Sequence, residues 1–316
     1  METRRQLHPR RPILPSHAIL TSLLACTAGP GEVAQSASAA PAVAETEGSP
    51  ATARVLAVGD LHGDREAAIA VLRMAGVIDA SGHWSAGNTV LVQTGDTTDR
   101  GPDSKGVIDL LRQLSTEAQA AGGRVEALLG NHETMNLLGD WRYVSPADLA
   151  GFGGTEARQS AFGPEGDYGR WLRARDTVAR VGDTIFVHGG VTPTFASRGI
   201  DAINSAVRDA VQAGDRSAPV LGAEGPLWFR GYVQQPEAEA CPQLAAALAH
   251  LDAKRMVVGH TTRRDGRVEV RCGGRLAVID TGISAHYGGH LAAWTATDGD
   301  ASVLYPTGPL DVVDPE

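Results

Sequence analysis

A chain of 316 residues with 42% hydrophobic content is long enough for one large packed domain or two small ones. Its formal charge of −9, from 37 acidic against 28 basic residues, repels a nucleic-acid backbone unless a local basic groove overrides it, so nucleic acid is not an expected partner. Aromatic residues make up only 5% while glycine numbers 38, which suits a fold rich in tight strand-to-helix turns.

Residues 1–26 read as an export signal: Arg4, Arg5, Arg10 and Arg11 form a basic front end, and Ser16 to Ala25 is apolar. That run is too short to cross a bilayer, which takes roughly 20 residues. Leu23-Leu24-Ala25-Cys26 resembles a bacterial lipobox in which Cys26 becomes lipidated, and ordinary cleavage among the Ala and Ser residues beyond it is the alternative. Either route gives an exported protein, periplasmic or tethered to a membrane. Residues 27–53 are dominated by Ala, Ser, Pro, Gly and Glu and read as a disordered tether. Cys241 and Cys272 are either a disulfide or two buried thiols.

From Arg54 the pattern becomes apolar strand, polar glycine-bordered turn, helix. Val55 to Val58 runs into Gly59-Asp60-Leu61-His62-Gly63-Asp64, with a helix predicted over Arg65 to Met74. Thr89 to Val92 leads to Gly95-Asp96-Thr97-Thr98-Asp99-Arg100-Gly101 and a helix from Ser104 to Ala121. Val125 to Leu129 delivers Gly130-Asn131-His132-Glu133. Residues 134–183, with Trp141, Tyr143, Phe152, Phe162, Tyr168 and Trp171, read as a mostly helical insertion. Thr184 to Val187 then delivers His188-Gly189-Gly190, and Met256 to Val258 delivers Gly259-His260. Leu276 to Asp280, Leu291 to Thr297 and Ser302 to Tyr305 read as strands in hairpin-like order, and residues 307–316 as a tail. Short buried strands alternating with helices predict an α/β layered fold over residues 54–306, with ligands beyond the carboxyl ends of the strands.

Those strand ends carry Asp60, His62, Asp96, Asn131, His188 and His260, the carboxylate, imidazole and amide donors that hard or borderline cations prefer. Asp96, central in the series, is the natural bridge between two ions. Two metals can activate a water and polarise a phosphate ester. The leaving oxygen then needs a proton, which His132 is placed to give with Asp99 orienting its ring. Arg100 and Arg230 offer planar forks for phosphate. Glu133 is read as bracing its turn by accepting backbone hydrogen bonds. Trp228 is read as packing, and His83, His250 and His290 receive no role. His286 and Tyr287, after Asp280-Thr281-Gly282, either line the pocket or are structural.

In this order, these blocks resemble the signatures of the calcineurin-like metallophosphoesterases. Asp99-Arg100-Gly101 resembles the phosphoprotein phosphatase branch. Leu227-Trp228-Phe229-Arg230-Gly231-Tyr232 and the region from Trp141 to Trp171 look most like its bacterial Shewanella-like group. The resemblance implies a β-sandwich flanked by helices. It also implies one metal at Asp60, His62 and Asp96 and a second at Asp96, Asn131, His188 and His260, with manganese, iron or zinc as the ion. A metal-bridged hydroxide would attack phosphorus, His132 would be the general acid, and Asn131 would join Arg100 and Arg230 in holding substrate. Thr97 and Thr98 depart from the bulkier apolar residues usual in eukaryotic members. The expected activity is a phosphomonoesterase acting on phosphoserine, phosphothreonine or phosphotyrosine, in a protein or a small phosphoester. The alternatives are a diadenosine polyphosphate hydrolase and a tethered phospho-ligand-binding module of low activity.

Overall fold

The structure is a computed structural model that describes residues 53–312. The expected signal segment, Cys26 and residues 27–52 of the tether lie outside the described residues. No helix among the described residues is long and apolar enough to cross a membrane.

Strand β1 (Val55–Val58) leads into helix α1 (Arg65–Met74), β2 (Val90–Gln93) into α2 (Ser104–Ala120), and β3 (Arg124–Ala127) into α3 (Asn131–Leu137). The three strands are parallel neighbours, with Leu56 beside Leu91 and Leu91 beside Val125. Asp64 and Asp103 end the first two turns as N-caps, each accepting a backbone N–H of the helix it starts. Three short helices follow: α4 (Pro146–Gly151), α5 (Thr155–Phe162) and α6 (Asp167–Arg173).

A second sheet then forms from β4 (Val178–Val181), β5 (Thr184–Val187), β6 (Arg255–Val258), β7 (Glu269–Arg271) and β8 (Leu276–Val278), in the order β4-β5-β6-β8-β7. Between β5 and β6 run α7 (Pro193–Ala196), α8 (Ile200–Ala213), α9 (Gly231–Gln234) and α10 (Glu237–His250). The chain returns to the first sheet through β9 (Ala293–Thr297), β10 (Asp300–Tyr305) and β11 (Gly308–Asp311), giving the order β11-β10-β9-β1-β2-β3.

Strand alternation sorts the core into layers. Leu56 and Val58 face α1 and α2, packing with Val71, Leu72 and Leu111, whereas Ala57 faces the other sheet. In β5, Ile185 and Val187 meet the helices carrying Val207 and Leu244, while Phe186 turns inward to Trp294, ring centroids 5.7 Å apart. Both faces of the central strands are therefore buried, which is why they read as unbroken apolar runs. Helix, sheet, sheet and helix stack in that order, the expected β-sandwich flanked by helices.

Three expectations need correction. The insertion is helical only as far as Arg173, because Val178–Val181 turns into a strand antiparallel to β5. Leu276–Val278 does not hairpin with the strand after it: it pairs parallel with β6 and antiparallel with β7, and of the three runs read as a hairpin series only the later two, β9 and β10, pair consecutively, with β11 added beyond them. Residues 308–311 are no tail, since Leu310 registers against Val303 and extends the first sheet by one strand. The sequence Gly308–Asp311 contains a Pro and an exposed Leu, a composition tolerated because β11 is an edge.

Candidate active site

The carboxyl ends of the parallel strands in both sheets meet at one place, and backbone hydrogen bonds lock their loops together. The N–H groups of Leu61 and His62 donate to the Asp96 carbonyl at 3.0 and 2.8 Å, and Gly101 N–H donates to the His62 carbonyl at 2.8 Å. The loops approach too closely for side chains on the backbone between them: a Cβ on Gly95, where φ is +95°, would lie 2.5 Å from the Gly130 nitrogen.

Glu133 is the clasp. Fully buried, its carboxylate accepts six hydrogen bonds, from the N–H groups of Asp96, Thr97, Thr98 and Gly130 and the hydroxyls of Thr97 and Thr98, at 2.7–3.0 Å. Burial, then the nearby Asp96 charge, raises its pKa, and the bonds from Gly130 and Thr98 pull against that rise. The bracing role expected from sequence is thus present, and the departure to Thr at 97 and 98 supplies two of its donors.

Within this frame the six expected metal ligands converge, none more than 5% exposed. His188 Nε2 is 3.2 Å from Asp96 Oδ2 and 2.9 Å from Asn131 Oδ1, and His62 Nε2 is 3.7 Å from Asp60 Oδ2 and 3.8 Å from Asp96 Oδ2. Two groups of donor atoms lie within 4.8 Å of one another, His62 with Asp96 and His132, and Asp96 with His188 and His260. Asp96 belongs to both, the position expected of a bridging carboxylate. His132 also stands within reach of the first group, and Asp60, beside His62, has its carboxylate accepting the His260 N–H at 3.2 Å as well.

The donor set fits metal ions on its chemistry. Each of the three imidazoles has one ring nitrogen against a backbone carbonyl: His62 Nδ1 to Thr98 at 3.3 Å, His188 Nδ1 to Thr94 at 3.0 Å and His260 Nε2 to Trp228 at 3.2 Å. Donation there fixes the tautomer and leaves the other nitrogen of His62 and of His188 facing the carboxylates, while His260 Nδ1 faces Arg230 Nη2 at 3.4 Å. Burial pushes His62 down to about 3, and burial with His188 and Arg230 holds His260 well below its usual value, so both rings are neutral, the form that binds metal. Three carboxylates crowd the same space. Burial, then Asp280 and Asp96, raises Asp60 well above its ordinary value. For Asp96, burial alone would raise the pKa, but His188 and His132 outweigh it and take it well below. Bound cations would relieve that crowding.

His132 points its Nε2 at this cluster, 3.8 Å from Asp96 Oδ2, while its Nδ1 lies 2.7 Å from Asp99 Oδ2. Burial opposes the charged ring, but Asp96 and Asp99 outweigh it and hold the His132 pKa above the usual 6.5. A cavity of about 210 Å³ opens over the site. Arg100 lines it, its guanidinium 3.9 Å above the Tyr143 ring and its Nε free of any hydrogen bond. Arg230 also lines it, but much of its fork is spent within the protein: Nη1 donates to the His260 carbonyl at 2.5 Å and to Thr261 Oγ1 at 3.2 Å, and Nη2 lies 3.4 Å from His260 Nδ1. Tyr143, Trp228 and Tyr287 form aromatic walls, so Trp228 is more than packing and Tyr287 is pocket lining. Tyr143, Thr262, Asp280, Asn136 and Arg158 were not singled out from sequence. Asn136 could have been, standing one helical turn after His132. A larger cavity of about 910 Å³ lies beside Trp141 and Arg216, but contains none of the ligand residues.

The calcineurin-like phosphoesterase family model matches residues 53–264. The chain belongs to that family. It is accordingly a phosphoesterase, a hydrolase of a family that implies divalent metal ions, and the His and Asp groups to hold them are in place. The chain is 38% identical over 263 residues to an uncharacterized protein of Schizosaccharomyces pombe, covering 79% of each. It is 32% identical to Shewanella-like protein phosphatase 2 of Arabidopsis thaliana, over 73% of this chain and 71% of that one. Among solved structures, the cold-active protein-tyrosine phosphatase of a psychrophilic Shewanella species superposes with a TM-score of 0.74 at 29% identity, covering 82% of this chain and 80% of that one. A serine/threonine phosphatase of Saccharomyces cerevisiae shares the fold at 16% identity, TM-score 0.55.

Proposed function

We propose that this phosphoesterase is a phosphomonoesterase of phosphorylated protein side chains, with two metal ions held by Asp60, His62, Asp96, Asn131, His188 and His260. The observation that carries the reading is the His132–Asp99 pair, 2.7 Å apart, set beside that cluster and under a pocket rimmed by Arg100 and Arg230. The chemistry such ions supply when bound is Lewis acidity toward the phosphate and a nearby water. Arg100 and Arg230 line the pocket and offer guanidinium forks to the phosphate oxygens, Arg230 with part of its fork already held by the His260 loop. Water adds to phosphorus as the ester P–O bond breaks, the departing oxygen takes the proton on His132 Nε2, and of the two water protons one stays on the phosphate while the other, passed to solvent, is replaced at His132 to reset the acid. Asp99 holds the opposite nitrogen and stabilises the protonated ring.

The aromatic walls support an aryl ester, phosphotyrosine, ahead of phosphoserine and phosphothreonine, in keeping with the similarity to the Shewanella protein-tyrosine phosphatase. A dinucleotide polyphosphate hydrolase is not favoured, since the similar Arabidopsis and Shewanella proteins are phosphatases. Manganese is the proposed ion, with iron or zinc as alternatives. The Cys241–Cys272 disulfide, Cα atoms 5.3 Å apart, supports an oxidising compartment, and with residues 1–26 it favours export to the periplasm or to a lipid anchor at Cys26. The test is turnover of matched phosphotyrosine, phosphoserine and phosphothreonine peptides beside diadenosine tetraphosphate, with manganese and then a chelator. Chelator-sensitive hydrolysis of a phosphopeptide is expected. No phosphopeptide turnover with any of the three metals refutes the reading.

A further inference from the structure

We infer that Arg158, delivered by the helical insertion, is a positioning residue for the acid pair, acting through Asn136 on Asp99 and so on His132. This rests on reading His132 as the proton donor.

Arg158 sits on α5 with its side chain wholly out of water. Burying a guanidinium costs several kcal/mol, and a well-packed apolar residue in its place is often no worse for stability. Stability alone therefore does not account for an arginine here. Its hydrogen bonds do. Nε donates to Asp148 Oδ2 at 3.1 Å and Nη1 to Asn136 Oδ1 at 2.6 Å, while Nη2 makes no hydrogen bond and faces Asp99 Oδ1 at 3.6 Å.

A guanidinium can only donate, so Arg158 decides which way the Asn136 amide lies. With Oδ1 taken by Arg158, the Asn136 Nδ2 must face the other way, where it donates to Asp99 Oδ1 at 2.9 Å and to the His132 carbonyl at 2.8 Å. That occupies one carboxylate oxygen of Asp99 and leaves Oδ2 for His132. The far side closes too: Asp148 Oδ1 accepts the Ser104 N–H at 2.7 Å, and Ser104 Oγ accepts the Asp99 N–H at 3.1 Å. Asp99, Ser104, Asp148, Arg158 and Asn136 thus form a closed circuit that begins and ends on the residue orienting the acid. Phe162, its ring 4.3 Å from the guanidinium, and Phe152 at 5.4 Å wall the circuit off from solvent and keep these bonds strong. The insertion is in this way part of the chemistry, although it supplies no metal ligand.

The experiment compares two esters on the full-length enzyme loaded with manganese. An alkyl phosphate needs a proton on its leaving oxygen. 2,4-Dinitrophenyl phosphate does not. Arg158→Met should lower kcat on the alkyl ester by about tenfold or more, a part of the ~10²–10⁴ that a general acid supplies. KM should stay within about twofold, and kcat on the dinitrophenyl ester should hardly change. Arg158→Lys should recover part of the loss. Asn136→Leu, which leaves Arg158 paired with Asp148, should show the same selectivity and carries the test if Arg158→Met does not fold. The double variant should be no more selective than Asn136→Leu alone, since both act on one chain of bonds. His132→Asn sets the full discrimination between the esters. If it discriminates while Arg158→Met and Asn136→Leu slow both esters alike, the circuit is only packing and the inference fails. If His132→Asn does not discriminate, the acid reading itself is wrong and takes this inference with it.

Discussion

Glu133→Gln is the smallest change that tests how the site is held together. The shape is kept, but one carboxylate oxygen becomes an NH₂. Oε1 faces four donors and Oε2 faces two, so the least damaging orientation puts the new NH₂ against the N–H groups of Asp96 and Gly130, which now sit 2.7 and 2.8 Å from Oε2. Two buried donors are then left without acceptors, at about 1–3 kcal/mol each. Some of that is returned, because burial raises the Glu133 pKa and a neutral amide escapes the cost of the buried charge. A net loss of about 2–4 kcal/mol is expected, a large share of the roughly 5–15 kcal/mol typical of a folded domain. The assay is urea unfolding followed by circular dichroism, with and without manganese. The metal-loaded form should lose more than the metal-free form, because the loops that separate carry Asp96 and Asn131. A variant within about 0.5 kcal/mol of the parent, loading metal normally, would mean that Glu133 is not the clasp.

Three further outcomes follow from the structure. His132 has its pKa raised above 6.5 by Asp96 and Asp99 against burial, and its protonated form is the one needed, so kcat on an alkyl phosphate should be level below that pKa and fall as pH rises through it. Any stability from the His132 charge follows the same sign, fully present below the unfolded value of 6.5 and lost above the folded one; Asp99→Asn, followed in a pH–rate profile, should move the falling limb to lower pH. Cysteines 31 residues apart close a loop whose restraint on the unfolded chain is about 3–4 kcal/mol, so Cys241→Ser with Cys272→Ser should lower the urea midpoint accordingly without raising KM. Arg100 holds a left-handed backbone, φ +67°, so Arg100→Gly relieves about 1–2 kcal/mol of strain but loses its stacking on Tyr143 and gains unfolded-chain entropy. Its unfolding free energy should stay within about 1 kcal/mol of the parent while KM for phosphate esters rises severalfold.

The sequence was informative where one rule governs both ends of a relation. β5 was predicted over Thr184 to Val187 and lies there, because a strand buried on both faces is a continuous apolar run and its end is marked by the polar residue it delivers. The residues proposed to hold metal share that signal: Asp60, His62, Asp96, Asn131, His188 and His260 all follow such runs, and the fold brings them together. Arg158 was not legible, since in the sequence it is one arginine on a short polar helix, and only the fold sets it against Asn136 and Asp148 from other elements. Asp280 failed for a related reason. In the sequence Leu276 to Asp280 reads as part of a hairpin-like series with the strand after it, and such a series gives no cause to place Asp280 at the carboxyl end of a parallel pair beside Asp60.

The backbone adds something the side chains do not. Eight non-glycine residues among those described have positive φ, and five of them are His62, Asp96, Asp99, Arg100 and His260. Such conformations cost of order 1 kcal/mol or more each and persist only where the surroundings over-determine them. Here the surroundings are identifiable. Asp96 is held by Glu133 through its N–H, Asp99 by Ser104, and the His260 N–H by Asp60, while the glycines on either side let the loops approach. The left-handed turns aim side chains from consecutive positions into one small volume, which an extended strand end, alternating its side chains up and down, cannot do. Strain of several kcal/mol is thus concentrated in the candidate site and is offset by buried carboxylate hydrogen bonds and by the sandwich core beneath. Substitutions that relax these turns should therefore tend to spare the fold and lose the activity, whereas substitutions at Glu133 should lose both.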